Sequence, residues 1–200
     1  IFSDLEAVVL RPLPYRQPDR LALVLVYNRA LKYATYLSYP DFLDWRQSAR
    51  SFESLAAFSP QGLDLSHPGR PEHLNGQRVS AGFFRTLGAA LAFGRGFSPE
   101  EDHPGGAPAA VISNRLWRIR FAANPSALSR TLTLNGVDYT IVGVLGPEFR
   151  FGDPPADVYI PLGRRSALEN GDRTDHDVAC IARLQPGVTV GQAQAELTAL

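Results

Sequence analysis

Apolar positions along this chain fall into short runs, and the spacing inside the runs switches repeatedly between a strand period of two and a helix period near 3.6. "RLALVLVYN" (20–28) is a near-continuous run rich in Val and Leu, which predicts a strand covered on both faces. "SYPDFLDWRQSAR" (38–50) predicts a helix. Ser38 stands at the N-cap, Pro40 in the first turn, and Asp41 and Asp44 near the positive end of the dipole. "SLAAFSPQGLDLS" (54–66) and "EHLNGQRVS" (72–80) predict short strands joined by Pro/Gly turns. "AGFFRTLGA" (81–89) predicts a two-turn helix stopped by Gly88, and "AAVIS" (109–113) a strand whose Ser113 caps the helix "NRLWRIRFA".

The strongest hairpin is "TLTLNGVDYTIVGVL" (131–145). Asn135-Gly136 supplies the two left-handed positions of a tight turn, and Leu132, Leu134, Val137, Tyr139 and Ile141 alternate around it. "DVYIPL" (157–162) and "DVACIARL" (177–184) predict two further strands. In "QPGVTVGQAQAEL" (185–197), Thr189 and Gln192 form a capping-box pair that opens a last helix. At the front, Ser3 as N-cap with Glu6 three residues on predicts a short helix over 3–10, ended by Pro12 and Pro14. Strands and short helices alternate irregularly among hairpins, which defines an α+β class rather than a doubly wound parallel sheet.

The totals narrow the function. With 200 residues, 44% of them hydrophobic, the chain can build a full core, as one large domain or two small lobes. Twenty basic residues balance 20 acidic ones, which argues against a general nucleic-acid binder. No run approaches the ~20 apolar residues that cross a bilayer. The chain contains no Met, so it reads as a fragment or a processed product. Its single Cys180 allows no internal disulfide and reads as a small buried apolar residue.

Candidate chemistry is sparse. Glu100-Glu101-Asp102 with His103 lacks the alternating ligand spacing of a calcium loop, and "FGRGFSPEEDHPGGAP" (93–108) reads as a solvated surface loop. Asp175-His176-Asp177 resembles part of an acid–base site but has no nucleophile or metal partner in the sequence. His67, His73, His103 and His176 show no helical zinc spacing. Gly94-Arg95-Gly96 lacks the ending of a phosphate loop. Asn124-Pro125-Ser126 is barred as a glycosylation acceptor by its proline. Phe42, Trp45, Phe52 and Phe58 read as core, with an apolar ligand pocket as the other reading. No catalytic, cofactor or metal-binding residue is assigned, and the ligand-binding residues stay unknown.

Taken together, "LRPLPYRQPDRL", "SYPDFLDWRQSARSFESLAAF", "VSAGFFRTLGAALAFGRGF", "VISNRLWRIRF", "LNGVDYTIVGVLGPEFRF", "DVYIPL" and "RLQPGVTVGQAQAEL" resemble the MacB-like periplasmic core domain in order and spacing. The similarity is greatest to the branch found in the duplicated permeases abundant in Acidobacteria. Two departures stand out. Ser129 occupies a position where relatives often carry glycine, and "FAANPSAL" lacks the usual glycine near Ala122.

The resemblance implies a domain on the outer side of the cytoplasmic membrane, between two membrane helices of an ABC-type permease. It implies two lobes: a porter-like α/β lobe over 15–80 and 164–200, and a strand-rich, Sabre-like lobe inserted over 81–163. Residues 1–14 would form a membrane-proximal stalk helix and its junction. The implied role is non-catalytic and needs no cofactor: the domain would transmit conformational change and contact partners or cargo. The implied joints lie near Arg78–Gly82 and Pro161–Arg165, and a weak joint there would allow movement. The implied partners are the permease's transmembrane helices, a cytoplasmic ATPase subunit or domain and a periplasmic adaptor, in a dimeric transporter, with no nucleic acid. A second reading is a capture module that holds a peptide, lipid or antibiotic-like compound between the lobes, with the four aromatics or Arg95 and Arg150 contributing. An extracytoplasmic enzyme ranks last.

Overall fold

A 14-residue strand, longer than any other among the described residues, organises the architecture. The computed structural model of the protein describes residues 3–9, 15–28, 33–66 and 72–200. In chain order the strands are β1 (Ser3–Val9), β2 (Leu21–Asn28), β3 (Tyr33–Thr35), β4 (Phe52–Leu65), β5 (Glu72–Val79), β6 (Leu91–Gly94), β7 (Ala109–Ile112), β8 (Thr131–Leu134), β9 (Val137–Leu145), β10 (Val158–Pro161) and β11 (Ala179–Leu184). The helices are α1 (Tyr39–Ser48), α2 (Phe83–Leu87), α3 (Asn114–Phe121), α4 (Ala167–Gly171) and α5 (Val190–Ala199). All strands join one mixed sheet in the order β1-β2-β11-β4-β5-β10-β7-β9-β6, with β3 on β2 and β8 on both β4 and β9. This is the mixed α and β class that the periodicities predict.

The pairings close a ring. β4 pairs with β5, β5 with β10, β10 with β7, β7 with β9, β9 with β8, and β8 returns to β4 at Leu65↔Leu134. The ring is a small barrel whose interior is filled by side chains, as expected for one this narrow. Leu63, Leu65 and Leu74 from β4 and β5 meet Ile112, Leu132, Leu134, Ile141, Val158 and Ile160 there, and Leu116 of α3 packs against them. The first half of β4 instead pairs with β11, from Phe52↔Leu184 to Phe58↔Ala179. One strand therefore serves both the open sheet and the barrel.

The open half is covered on two faces. Val24, Ala57, Cys180 and Ala182 pack under Tyr39 and Phe42 of α1 and Ala193 and Leu197 of α5. On the other face Leu21, Ala56, Val79, Ile181 and Tyr159 pack under Phe83, Phe84 and Leu87 of α2. Cys180 is fully buried, and burial pushes its thiol up to about 12, so it is inert apolar packing. Arg183 is buried within β11 and donates from Nε to the Thr86 carbonyl at 2.9 Å, tying α2 to the sheet.

Local capping signals act where they are found. Ser38 Oγ accepts from the Asp41 amide at 3.2 Å, Ser113 Oγ from Leu116 at 3.1 Å, and Thr189 Oγ1 from Gln192 at 3.3 Å. Asn135 and Gly136 both take positive φ, 48° and 78°, as the two-residue hairpin requires. β3, β6 and α4 are absent from the sequence reading: each is short, β3 pairing with the adjacent β2, β6 with the distant β9, and α4 opening on a local box at Ser166 and Glu169.

The expected helix over 3–10 is corrected. Ser3–Val9 is a strand, paired antiparallel with β2 along its whole length from Ser3↔Asn28 to Val9↔Ala22. A capping box stabilises a helix by about 1 kcal/mol. A full ladder along β2, with Val8 and Val9 favouring extended backbone, outweighs it. Residues 1–2 and 10–14, which carry the rest of the expected stalk and its Pro12/Pro14 junction, lie outside the described residues, as do His67 and the turn over 67–71.

The two departures in glycine content coincide with left-handed backbone. Ala122, at the C-terminal cap of α3, has φ 49°, and Ser129 has φ 66°. Left-handed backbone costs an L-residue roughly 1–2 kcal/mol, part of which glycine gives back through its greater chain entropy. Ala122→Gly and Ser129→Gly are therefore each expected to stabilise the fold by about 0.5–1 kcal/mol, raising the melting temperature by roughly 1–3 °C. Calorimetric melting of the two variants checks this; a fall at either position would show that the Cβ makes packing contacts worth more than the strain.

Candidate functional site

Two neighbouring features sit where the two groups of strands meet. The first is a tie between the chain crossings. After β5 the chain turns at Ser80-Ala81-Gly82 into α2, and after β10 it turns at Leu162-Gly163-Arg164 toward α4. Asp102 lies between these turns. Its Oδ2 accepts from the Ala81 amide at 2.7 Å, and its Oδ1 accepts from the Gly163 amide at 2.6 Å. The approach is close enough to require glycine, because a Cβ at residue 163 would stand 2.2 Å from the Asp102 carbonyl oxygen. Burial raises the Asp102 carboxyl above the ordinary range, against the pull of the two amides and of Arg46 and His103.

Asp102 is itself held by a rigid loop. Glu101 is buried and accepts from both Arg95 guanidinium nitrogens, at 2.8 and 2.7 Å, and from the Ser98 amide at 2.8 Å. The Arg95 hydrogen bonds hold its carboxyl below the usual range against the opposing effect of burial. The solvated-loop reading of 100–103 is thus corrected: Glu100 and His103 face solvent, whereas Glu101 and Asp102 are structural acceptors. Proline at 99 starts a short turn of 3₁₀ helix that points the two carboxyls inward.

On the far side of the second crossing, Asp177 pairs with the buried Arg165 at 2.6 Å, and Arg165 stacks over Tyr39. Asp175 and His176 are exposed. The Asp175-His176-Asp177 run is therefore a structural ion pair followed by β11. Arg164 donates to the Gly106 carbonyl at 2.6 Å and lies over the Tyr139 ring, fastening the crossing to the barrel.

The second feature is a cleft of about 530 Å³. Its floor is one face of the sheet, because residues opposite each other across β4 and β5 point the same way. Pro60 faces Gln77, Gly62 faces Asn75 and Asp64 faces His73, and Leu23 of β2 and Ile181 of β11 continue the surface. Its roof is the loop from Arg150 to Ala156, which contains a cis Asp153–Pro154 peptide bond. Phe151 meets the edges of Phe58 and Phe83 at 4.8 and 4.9 Å between centroids, and the Tyr15 hydroxyl donates to the Arg150 carbonyl at 2.5 Å.

Of the aromatics named from the sequence, Phe58 lines this cleft. Phe42, Trp45 and Phe52 pack in or against the core under α1 and α5. Arg150 lies at the cleft, while Arg95 borders a separate depression of about 850 Å³ beside α2. Sequence reading missed Gln77. Its signal was the row His73, Asn75, Gln77, polar at every second position of a predicted strand, opposite the apolar row beginning at Phe58. Among the described residues, no group of three His, Cys, Asp or Glu side chains could hold a metal ion. No helix there is long and apolar enough to cross a membrane.

A mixed sheet with a side barrel, a tied pair of chain turns and an open cleft defines a mixed α and β domain. The sequence matches the family described as the MacB-like periplasmic core domain over residues 3–200, and the chain belongs to that family. It is thus a periplasmic domain of the MacB-like ABC transporter permeases. The fold is similar to the periplasmic region of MacB from Actinobacillus actinomycetemcomitans, with a TM-score of 0.69 at 16% identity, covering 94% of this chain and 85% of that one. It is also similar to a domain of a permease protein from Porphyromonas gingivalis, with a TM-score of 0.68 at 16% identity over 88% of this chain and 79% of the other. The extracellular domain of the ABC-type transporter YknZ from Gram-positive bacteria gives 0.59 at 14% identity over 81% and 80%. No curated relative matches the sequence.

The Arg95–Glu101 pair sets a pH dependence. A carboxyl whose folded pKa is lowered contributes stability above its unfolded value, near 4.3, and loses it as pH falls through the folded value. Asp102 has the opposite sign, losing stability as pH rises through its raised folded value. Glu101→Gln removes only the first contribution. Its melting temperature is expected to lie below that of the parent at pH 7 and to converge on it below about pH 4. Parallel melting curves from pH 7 to 3 would refute this.

Proposed function

We propose that this domain is a non-catalytic mechanical element of its permease, carrying movement from the membrane-proximal strands to the outer face where partners or cargo are met. Residues 15–80 with 164–200 form its porter-like part. The inserted segment 81–163 forms a Sabre-like part that completes a barrel by borrowing β4 and β5. The observation that carries this reading is the Asp102 tie, in which one carboxylate holds the backbone at both crossings between the parts.

The expectation of a weak joint gives way to a stiffer one. β5 and β10 pair in parallel from Gly76↔Val158 to Val79↔Pro161 across the boundary, so the sheet runs through it. A continuous hydrogen-bonded sheet passes a displacement on rather than absorbing it, since packed interiors resist deformation. In the full permease the domain would work outside the cytoplasmic membrane, with the transmembrane helices and an ATPase subunit or domain supplying the motion, in a dimeric transporter served by an adaptor. A second reading, capture of a ligand, is favoured by the cleft, whose floor and roof come from the two different parts.

Asp102→Ala tests the mechanical reading. Losing hydrogen bonds to a buried carboxylate costs roughly 1–3 kcal/mol, which leaves a core of this size folded. The Ala81 and Gly163 amides are expected to exchange hydrogen at least tenfold faster, together. Transport by the full permease should fall several-fold at unchanged expression. Full transport with both amides deprotected would sink the reading.

A further inference from the structure

We propose that the cleft between the sheet and the 150–156 loop binds a neutral, largely apolar small molecule that donates one hydrogen bond, with Gln77 Oε1 as its acceptor. This deepens the capture reading and rests on it. The volume, about 530 Å³, falls in the range of small-molecule sites and is too small for a folded segment. The floor and inner walls are apolar: Leu23, Phe58, Pro60, Phe151 and Ile181.

His73 and Asn75 on the β5 row are exposed, and one polar side chain of that row is buried. Gln77 is 7% exposed, and its Oε1 has no hydrogen-bond partner among the described residues. An unpaired buried acceptor is destabilising, and an apolar side chain of similar size at this position would avoid the penalty. A donor brought by a ligand removes it once the Gln77 side-chain amide, closed off from solvent at its oxygen, turns that oxygen into the cleft. The acidic, basic and imidazole side chains of the cleft lie at exposed positions: Arg150, Asp153, and His73 held to Asp64 at 2.9 Å. An ion driven to the floor would lose its water with no opposite charge to meet it. The deep end of the ligand is therefore uncharged. Its hydrogen bond to Gln77 fixes orientation while the aromatic edges of Phe58 and Phe151 supply the apolar contact.

Butylphenol, its methyl ether and an amide-labelled sample of the 200-residue domain make the test. 4-Butylphenol has an apolar body and a donor, and 4-butylanisole has the same body without one. Titration followed by NMR is expected to show saturable shifts at Gln77 and its β4 and β5 neighbours with the phenol, and at least fivefold weaker binding of the ether. Gln77→Leu should bind the two probes alike and melt no lower than the parent. Gln77→Asn, which keeps the polarity but withdraws the acceptor, should also lose the preference and guards against misfolding of the first variant. Binding of neither probe would overturn capture in this cleft altogether. Equal binding of both to the parent, or a preference that survives in both variants, would leave capture standing and overturn the assignment of Gln77 and of a donating ligand.

Discussion

Eight cross-strand pairs, from Phe58↔Val79 to Leu65↔Glu72, fix β4 against β5, and the rest of the molecule is arranged around that register. On one side of the two strands Leu63, Leu65 and Leu74 enter the barrel core. On the other, Phe58, Pro60, Gly62 and Gln77 make the cleft floor. A slip of one residue would exchange the two sets, exposing leucines and burying Asp64 and His73. The register is pinned because only one face of the hairpin can fill a closed barrel. The strands from β6 to β10 consequently do not fold as a separate body hung on the sheet. They close on strands that the sheet already owns.

Electrostatics refine this frame without organising it. The Arg95–Glu101 pair aims the Asp102 loop, and Asp102 then satisfies two backbone amides that turns leave without helix or strand partners. Arg165 with Asp177 and Arg164 with Gly106 fasten the second crossing from its other side. Each of these bonds joins residues brought together by the barrel and sheet, so the polar cluster is a result of the topology and a lock upon it.

What could be read from the sequence was what is encoded locally. Ser38, Ser113 and Thr189 announce their helices within four residues, and Asn135-Gly136 announces its hairpin. The β1 strand misled for the same reason, since Ser3 and Glu6 mimic a helix start while the deciding partner, β2, lies beyond three prolines. Barrel closure was illegible because Leu65↔Leu134 joins strands about seventy residues apart and leaves no local mark. Glu101 and Asp102 looked like solvated acids in a Gly/Pro-rich loop; their partners at Arg95, Ala81 and Gly163 appear only once the crossings are in place. Gln77 was visible as a polar beat in a strand, but a beat alone does not say which face is dry.

The sharing of β4 and β5 has an evolutionary consequence. Because side chains on a strand alternate, the positions that build the barrel and those that shape the cleft are interleaved in sequence yet independent in space. Odd-numbered residues of β4 answer to folding, and even-numbered ones from Phe58 onward shape the cleft. Were the cleft to bind a ligand as proposed, a permease lineage could change what it recognises by drift along one row while purifying selection held the other, so that a new specificity need not wait for a new scaffold.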